Sequence, residues 1–145
     1  MQTDDELAHI KNIARTHYAQ SHNTALAMAD VAPEVIWHGP ANSPQTYEGW
    51  KARHERLVAA FGEMEFTVNS QIAENDRVMT HWTLRAVHKG PFIGMAATGK
   101  RIVLTGIGID RVKGNKVVEH WGMQDLMGLT AQLGGTPMPE GPRLA

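Results

Sequence analysis

The chain contains no cysteine. That absence excludes a disulfide scaffold, a thiolate nucleophile and cysteine-ligated zinc, and leaves the compartment open. An excess of charge is also lacking, since 14 Lys and Arg face 15 Asp and Glu for a net charge of −1. The densest basic stretch is the pair Lys100-Arg101, so neither nucleic acid nor an anionic membrane is an expected partner. No apolar run approaches the ~20 residues of a membrane span. The opening Met1-Gln2-Thr3-Asp4-Asp5-Glu6 is acidic and has none of the charged-then-apolar build of a secretory signal. A cytoplasmic protein is expected. Signature motifs are missing too. Thr98-Gly99-Lys100 has no glycine frame before it, no Gly-x-Ser-x-Gly elbow occurs, and none of the eight histidines makes a His-x-x-x-His pair. His17 and His22 are five apart, on different faces of a helix. No metal and no cofactor are expected.

What remains is ordinary globular composition, 42% hydrophobic and 20% charged over 145 residues. A chain of this size can bury roughly two-thirds of its unfolded surface in one domain. We read residues 1–134 as that domain and 135–145 as a tail too rich in Gly and Pro to pack.

Hydrophobic spacing orders the elements. Thr3 caps a helix whose apolar face carries Leu7, Ile10, Ile13, Ala14, His17 and Tyr18, with three acids at the positive end of its dipole. Asn23-Thr24 caps a short second helix from Ala25 to Ala29. Val35 to His38 is a strand stopped by Gly39-Pro40, and Ala41 to Thr46 a polar loop. A third helix carries Tyr47, Trp50, His54, Leu57, Val58 and Phe61 and ends at Gly62. The period then falls to two, with strands over Met64–Ala73, Arg77–His88, Lys100–Val112 and Lys116–Met123. Leu126 to Leu133 closes the chain as a short helix. Helices first and antiparallel strands afterwards is an α+β order, and a curved sheet around helices leaves a cavity at its mouth, where small molecules bind.

The second half carries a set of short motifs: Thr80-His81-Trp82-Thr83-Leu84-Arg85, His88-Lys89-Gly90, Gly94-Met95, Thr98-Gly99-Lys100-Arg101, Asp110-Arg111-Val112 and Lys116-Val117-Val118-Glu119-His120-Trp121, then Asp125 and Gln132-Leu133-Gly134. With Val35 to Pro40 and Glu48-Gly49 upstream, the chain resembles the SnoaL-like polyketide cyclase family of the nuclear transport factor two-like superfamily. The resemblance implies a cone-shaped fold with a curved antiparallel sheet wrapped around N-terminal helices, a homodimer, and a cavity for a small apolar ligand or substrate. Founding members of that family close the last ring of aromatic polyketides by aldol condensation. The same resemblance puts Gly108 and Gly122 where those cyclases carry a catalytic histidine and aspartate. Aldol closure needs a base at carbon and a donor for the developing alkoxide; glycine supplies neither.

If those glycines face the cavity, alternation along the strands puts Gly106, Asp110 and His120 on the cavity side as well. A hairpin about Lys113-Gly114-Asn115 lays Asp110 roughly opposite residue 119 or 120, so pairing with His120 is expected. The pair is read either as a carboxylate orienting an acid–base histidine or as two polar groups satisfying each other in a sheet. His88 ends a strand whose inner face carries Val78, Trp82, Leu84 and Ala86, and is read as a third catalytic candidate or as a loop anchor. Asp125, one of the residues that carry the resemblance, precedes the last helix and is read as its N-cap. Trp37, Trp50 and Trp82 come from three elements that converge, either filling the core or, with His38 and with Phe92 and Met95 on a loop above, gripping a flat apolar ligand. Trp121 has the opposite parity to His120 and suits an outer-face dimer contact; His81 faces away from Trp82, toward solvent or a partner. The functional expectation is a cofactor-independent cyclase, isomerase, lyase or hydrolase working by acid–base chemistry on a small apolar oxygenated compound. The alternatives are a silent binding protein and a dimeric interaction domain of the same fold.

Overall fold

Thr3 starts the first helix as its sequence requires: its hydroxyl accepts from the Glu6 N–H at 3.1 Å, taking one of the amide donors that a helix N-terminus leaves open. The computed structural model describes residues 1–39 and 43–135, and in it helix α1 runs Asp4–Ala19. Asn23 caps α2 (Thr24–Met28) by accepting from the Leu26 N–H. Strand β1 (Val31–His38), the two-residue β2 (Pro44–Gln45) and helix α3 (Tyr47–Ala60) follow. A meander of four long strands comes next: β3 (Phe61–Glu74), β4 (Arg77–His88), β5 (Arg101–Lys113) and β6 (Lys116–Gln124). Helix α4 (Leu126–Gln132) comes last, and the Asp125 carboxylate caps it by accepting from the Gly128 N–H at 2.9 Å. Except for Gly135, the expected Gly/Pro-rich tail lies outside the described residues, as does the start of the expected polar loop, 41–42.

The six strands form one sheet in the order β2-β1-β6-β5-β4-β3. It is not antiparallel throughout, as expected, but mixed. β1 comes down from the helical layer and runs parallel to β6, with Trp37 opposite His120 and His38 opposite Trp121. Other departures are local. β1 begins four residues earlier than the apolar run suggests. The third helix hands over at Phe61, so Gly62 lies inside β3, and Pro44–Gln45 pairs with β1 instead of looping.

Burial alternates along β4 and β5, so Val78, Thr80, Trp82, Leu84 and Ala86 share the inner face with Ile102, Leu104, Gly106, Gly108, Asp110 and Val112. Register shifts in β3, at 62–65 and 68–70, and at Val118 of β6, opposite Arg111 and Val112, mark bulges, which bend strands and here accompany a sheet that wraps α1 and α3. The largest core cluster sits under this curve and includes Phe61, Leu84, Ile102, Leu104 and Leu129. Full burial of each such side chain contributes roughly 1.5–3 kcal/mol. Where β6 stops, β5 would present a bare edge. Gln132 closes it, accepting from the Val103 N–H at 2.8 Å and donating to its carbonyl at 2.7 Å.

Candidate functional site

The hairpin between β5 and β6 pairs Asp110 directly with His120. The His120 Nδ1–H donates to Asp110 Oδ1 at 2.6 Å. Asp110 is fully buried and His120 is 8% exposed. Donation from Nδ1 leaves Nε2 as the lone-pair nitrogen of the neutral ring. Trp50 of α3 stacks on that ring with centroids 4.5 Å apart, and His17 of α1 meets the same Trp50 at 5.2 Å. The imidazole is therefore held by a carboxylate behind it and an indole against its face.

His120 lines a cavity of about 690 Å³, within the range of small-molecule sites. Of the residues singled out from sequence, Trp37, His38, Trp50, Trp82, Gly108 and Gly122 line the same cavity. The two glycines have a steric reason. A Cβ at Gly108 would lie 1.9 Å from the Tyr18 hydroxyl and 3.2 Å from His120 Cε1, and one at Gly122 would lie 3.0 Å from His120 Nε2. The room that side chains would take at 108 and 122 holds a phenol and an imidazole instead. Gly106 does the same for Trp82, whose ring would meet a Cβ there at 2.3 Å.

Three other candidates lie elsewhere. His88 is fully buried but is not among the lining residues. Its Nδ1 accepts from the Thr98 N–H at 3.2 Å, its ring lies against Phe61, and its backbone bonds Gly99 and Lys100, so it anchors the loop after β4. Strand length is the reason: Val78 pairs with Asp110, and His88 is ten residues further along β4, about 33 Å at the usual rise. Phe92 and Met95 bridge each other within that loop, and Phe92 packs edge-on to Phe61 at 5.1 Å; neither lines the cavity. His38, at the rim, stacks on Trp121 at 4.7 Å and bonds Glu119 at 2.8 Å through Nε2. That bond, helped by Arg111, holds the Glu119 carboxyl below its ordinary pKa. Trp121 is half-buried at this rim rather than wholly on the outer face.

The lining residues not singled out from sequence as site residues include four with polar tips, His17, Tyr18, Arg53 and His54. His17 Nδ1–H donates to the Ala27 carbonyl at 2.9 Å, and burial lowers its pKa. Tyr18 lies along Trp82 at 6.2 Å, and its hydroxyl has no hydrogen-bond partner among the described residues. Burial, and then the negative Asp110, push its pKa well up, so the phenol stays protonated and can only be satisfied by an acceptor or donor from outside. His54 Nδ1 meets Thr24 Oγ1 at 3.0 Å; burial, with His17 and Arg53 nearby, lowers its pKa to about 4. The signal for three of them was present: polar-tipped side chains at positions where helical period calls for apolar ones. Arg53 carries no such mark.

Among the described residues no three His, Asp or Glu side chains group to hold a metal, and no helix is long and apolar enough to cross a membrane. No curated protein matches the sequence. Solved structures do. AclR of Streptomyces galilaeus, described as a proposed hydroxylase, is 25% identical with a TM-score of 0.82, covering 94% of this chain and 87% of that one. IdmH of Streptomyces antibioticus, a proposed polyketide cyclase, is 26% identical with a TM-score of 0.75, over 86% of this chain and 98% of that one. A proposed polyketide cyclase of Acidithiobacillus ferrooxidans is 27% identical with a TM-score of 0.73, over 92% and 98%. These structures share the cone architecture, and the SnoaL-like polyketide cyclase model matches residues 12–133. The chain belongs to the SnoaL-like polyketide cyclase family.

Proposed function

We propose that this protein is an acid–base enzyme of the cyclase, isomerase, lyase or hydrolase type that acts on a small apolar oxygenated compound in the cone cavity. The observation that carries this reading is the buried Asp110–His120 pair, whose Nε2 is left free beside an apolar cavity. In this reading His120 takes a proton from carbon next to a carbonyl, and Asp110 holds the ring's tautomer and steadies the imidazolium that forms. Tyr18 donates its hydroxyl hydrogen to the oxygen that gains charge. Its hydroxyl and His120 Cε1 both lie within 3.2 Å of the Cβ position at Gly108, so one substrate carbonyl can meet both groups. Trp37, Trp50 and Trp82 wall the body of the molecule, and proton transfer among these groups requires no cofactor.

The same reading includes a cytoplasmic homodimer. Ile107, Ile109 and Met123 are exposed on the outer face of β5 and β6, an apolar patch of the sort that a second copy covers. The test of chemistry is deuterium exchange at the α-carbon of 1-tetralone in D2O, followed by proton NMR. Wild type is expected to speed exchange over buffer, and His120→Ala to lower that acceleration by about 10²–10⁴-fold, the span of general-base catalysis, with an unchanged circular dichroism spectrum. Binding of 1-tetralone with exchange at the buffer rate would favour the silent binding protein, and undiminished exchange in His120→Ala would remove His120 from the mechanism.

A further inference from the structure

Arg53 stands out from the rest of the cavity wall. It projects from α3 into the same cavity, with its guanidinium carbon 5.5 Å from the centre of the Trp37 ring. Among the described residues that cation–π contact is the one specific contact of its guanidinium. Each ion pair among the described residues uses other groups: Glu119 is taken by His38 and Arg111, Asp110 by His120, and Glu63 by Arg101. The side chain is half-buried, and no acid among the described residues offsets its charge. Burial, then the positive Arg56, lower its pKa, and no carboxylate acts in the opposite direction. A guanidinium stays protonated under these conditions, so a positive charge faces the cavity with no counter-charge among the described residues. His54 next to it is neutral at physiological pH, because its pKa is about 4, and so does not compete for an anion.

The contact with Trp37 is made over the ring, and no hydrogen bond or ion pair to a described residue takes up the N–H edge of the guanidinium. That edge is a rigid fork matched to two oxygens of one carboxylate. We infer that the ligand of this cavity carries a carboxylate, bound by Arg53, while its apolar body lies against Trp37, Trp50 and Trp82. The inference rests on the cavity being the ligand site, and narrows the substrate from an apolar oxygenated compound to an aromatic or polycyclic acid. The apolar lining supplies affinity without direction, whereas a charge at one end fixes which carbon is presented to His120.

The experiment is isothermal titration calorimetry of the full chain with 2-naphthoate and with 2-naphthamide, which share a ring system and differ in charge. Wild type is expected to bind the acid about tenfold tighter than the amide, the scale of one charge-assisted hydrogen bond. Arg53→Gln is expected to remove that preference while leaving the amide's affinity within about twofold, and Arg53→Lys to keep only part of it, since a point charge lacks the fork. Equal binding of acid and amide by wild type would overturn the carboxylate assignment and leave the cavity reading standing. Equal loss of both ligands in Arg53→Gln would also overturn it, by reducing Arg53 to packing on Trp37. Failure of either ligand to bind wild type would overturn this inference together with the cavity reading.

Discussion

Acid should unfold this protein earlier than its carboxylates alone would require, and His54 gives the size of the effect. In the unfolded chain a histidine titrates near 6.5; in the fold His54 titrates at about 4, chiefly because burial penalises the imidazolium. Below pH 6.5 the unfolded chain therefore binds a proton that the folded chain refuses, and unfolding gains as pH falls. The stabilisation is complete above 6.5, declines as pH drops toward 4 and is flat below. Between pH 7.5 and 5.0 this one group removes about 2 kcal/mol, and about 3 kcal/mol by pH 4. His17 acts in the same direction, since burial lowers its pKa as well. Urea unfolding at pH 7.5 and 5.0 isolates the His54 share when wild type is compared with His54→Gln. The cost of the substitution itself cancels in the difference between the two pH values. Wild type should lose about 2 kcal/mol more than the variant, a difference of about 1 M in the shift of the urea midpoint for a typical slope. Equal shifts in the two proteins would refute the reasoning, because His54 would then protonate in the fold as readily as outside it.

Two further substitutions probe the space around His120. Gly108→Ala places a methyl group 1.9 Å from the Tyr18 hydroxyl and should cost about 1–3 kcal/mol through displacement of that ring, read by urea unfolding; a variant as stable as wild type would mean that Tyr18 yields freely. Tyr18→Phe removes a buried hydroxyl that has no partner among the described residues, so stability should hold or rise by up to about 1 kcal/mol. Exchange of 1-tetralone should meanwhile fall by about 10²-fold through loss of the oxyanion donor; a destabilised protein with full exchange would assign the hydroxyl to structure.

Local chemistry was readable along the chain, and distant geometry much less so. The alternation of Val78, Trp82, Leu84 and Ala86 delimits β4 at Arg77 and His88, and the bounds match the strand. Gly114 at a two-residue turn sets the register to within one residue: counting outward lays Asp110 opposite Glu119, and the shift at Val118 moves the pairing on to His120. The Asp125 cap follows from a polar residue placed just before an apolar helical run. The parallel docking of β1 on β6 joins segments some eighty residues apart, and no turn or period encodes it. His88 shows the same limit from the other side. Its parity on β4 is inward, as read, but parity says which face a side chain takes and not how far along the strand it sits from Asp110. Tyr18 and His54 were visible as members of apolar helix faces, yet their place in the cavity that His120 lines depends on how α1 and α3 lie in the curve of the sheet.

Gly108 and Gly122 bear on whether the cavity is a working site or a vacant one. The sequence reading expects them at the family's catalytic positions, and on that expectation alone they would argue for loss of chemistry. The space they leave is nonetheless filled, by the Tyr18 hydroxyl from α1 and the His120 ring from β6. A buried hydroxyl without a partner costs roughly 1–3 kcal/mol, and a sequence under no demand but stability would do better with phenylalanine at 18. The hydroxyl makes physical sense if a ligand oxygen satisfies it. On the proposed function the acid–base groups are Tyr18 and His120, and the glycines are what makes room for them.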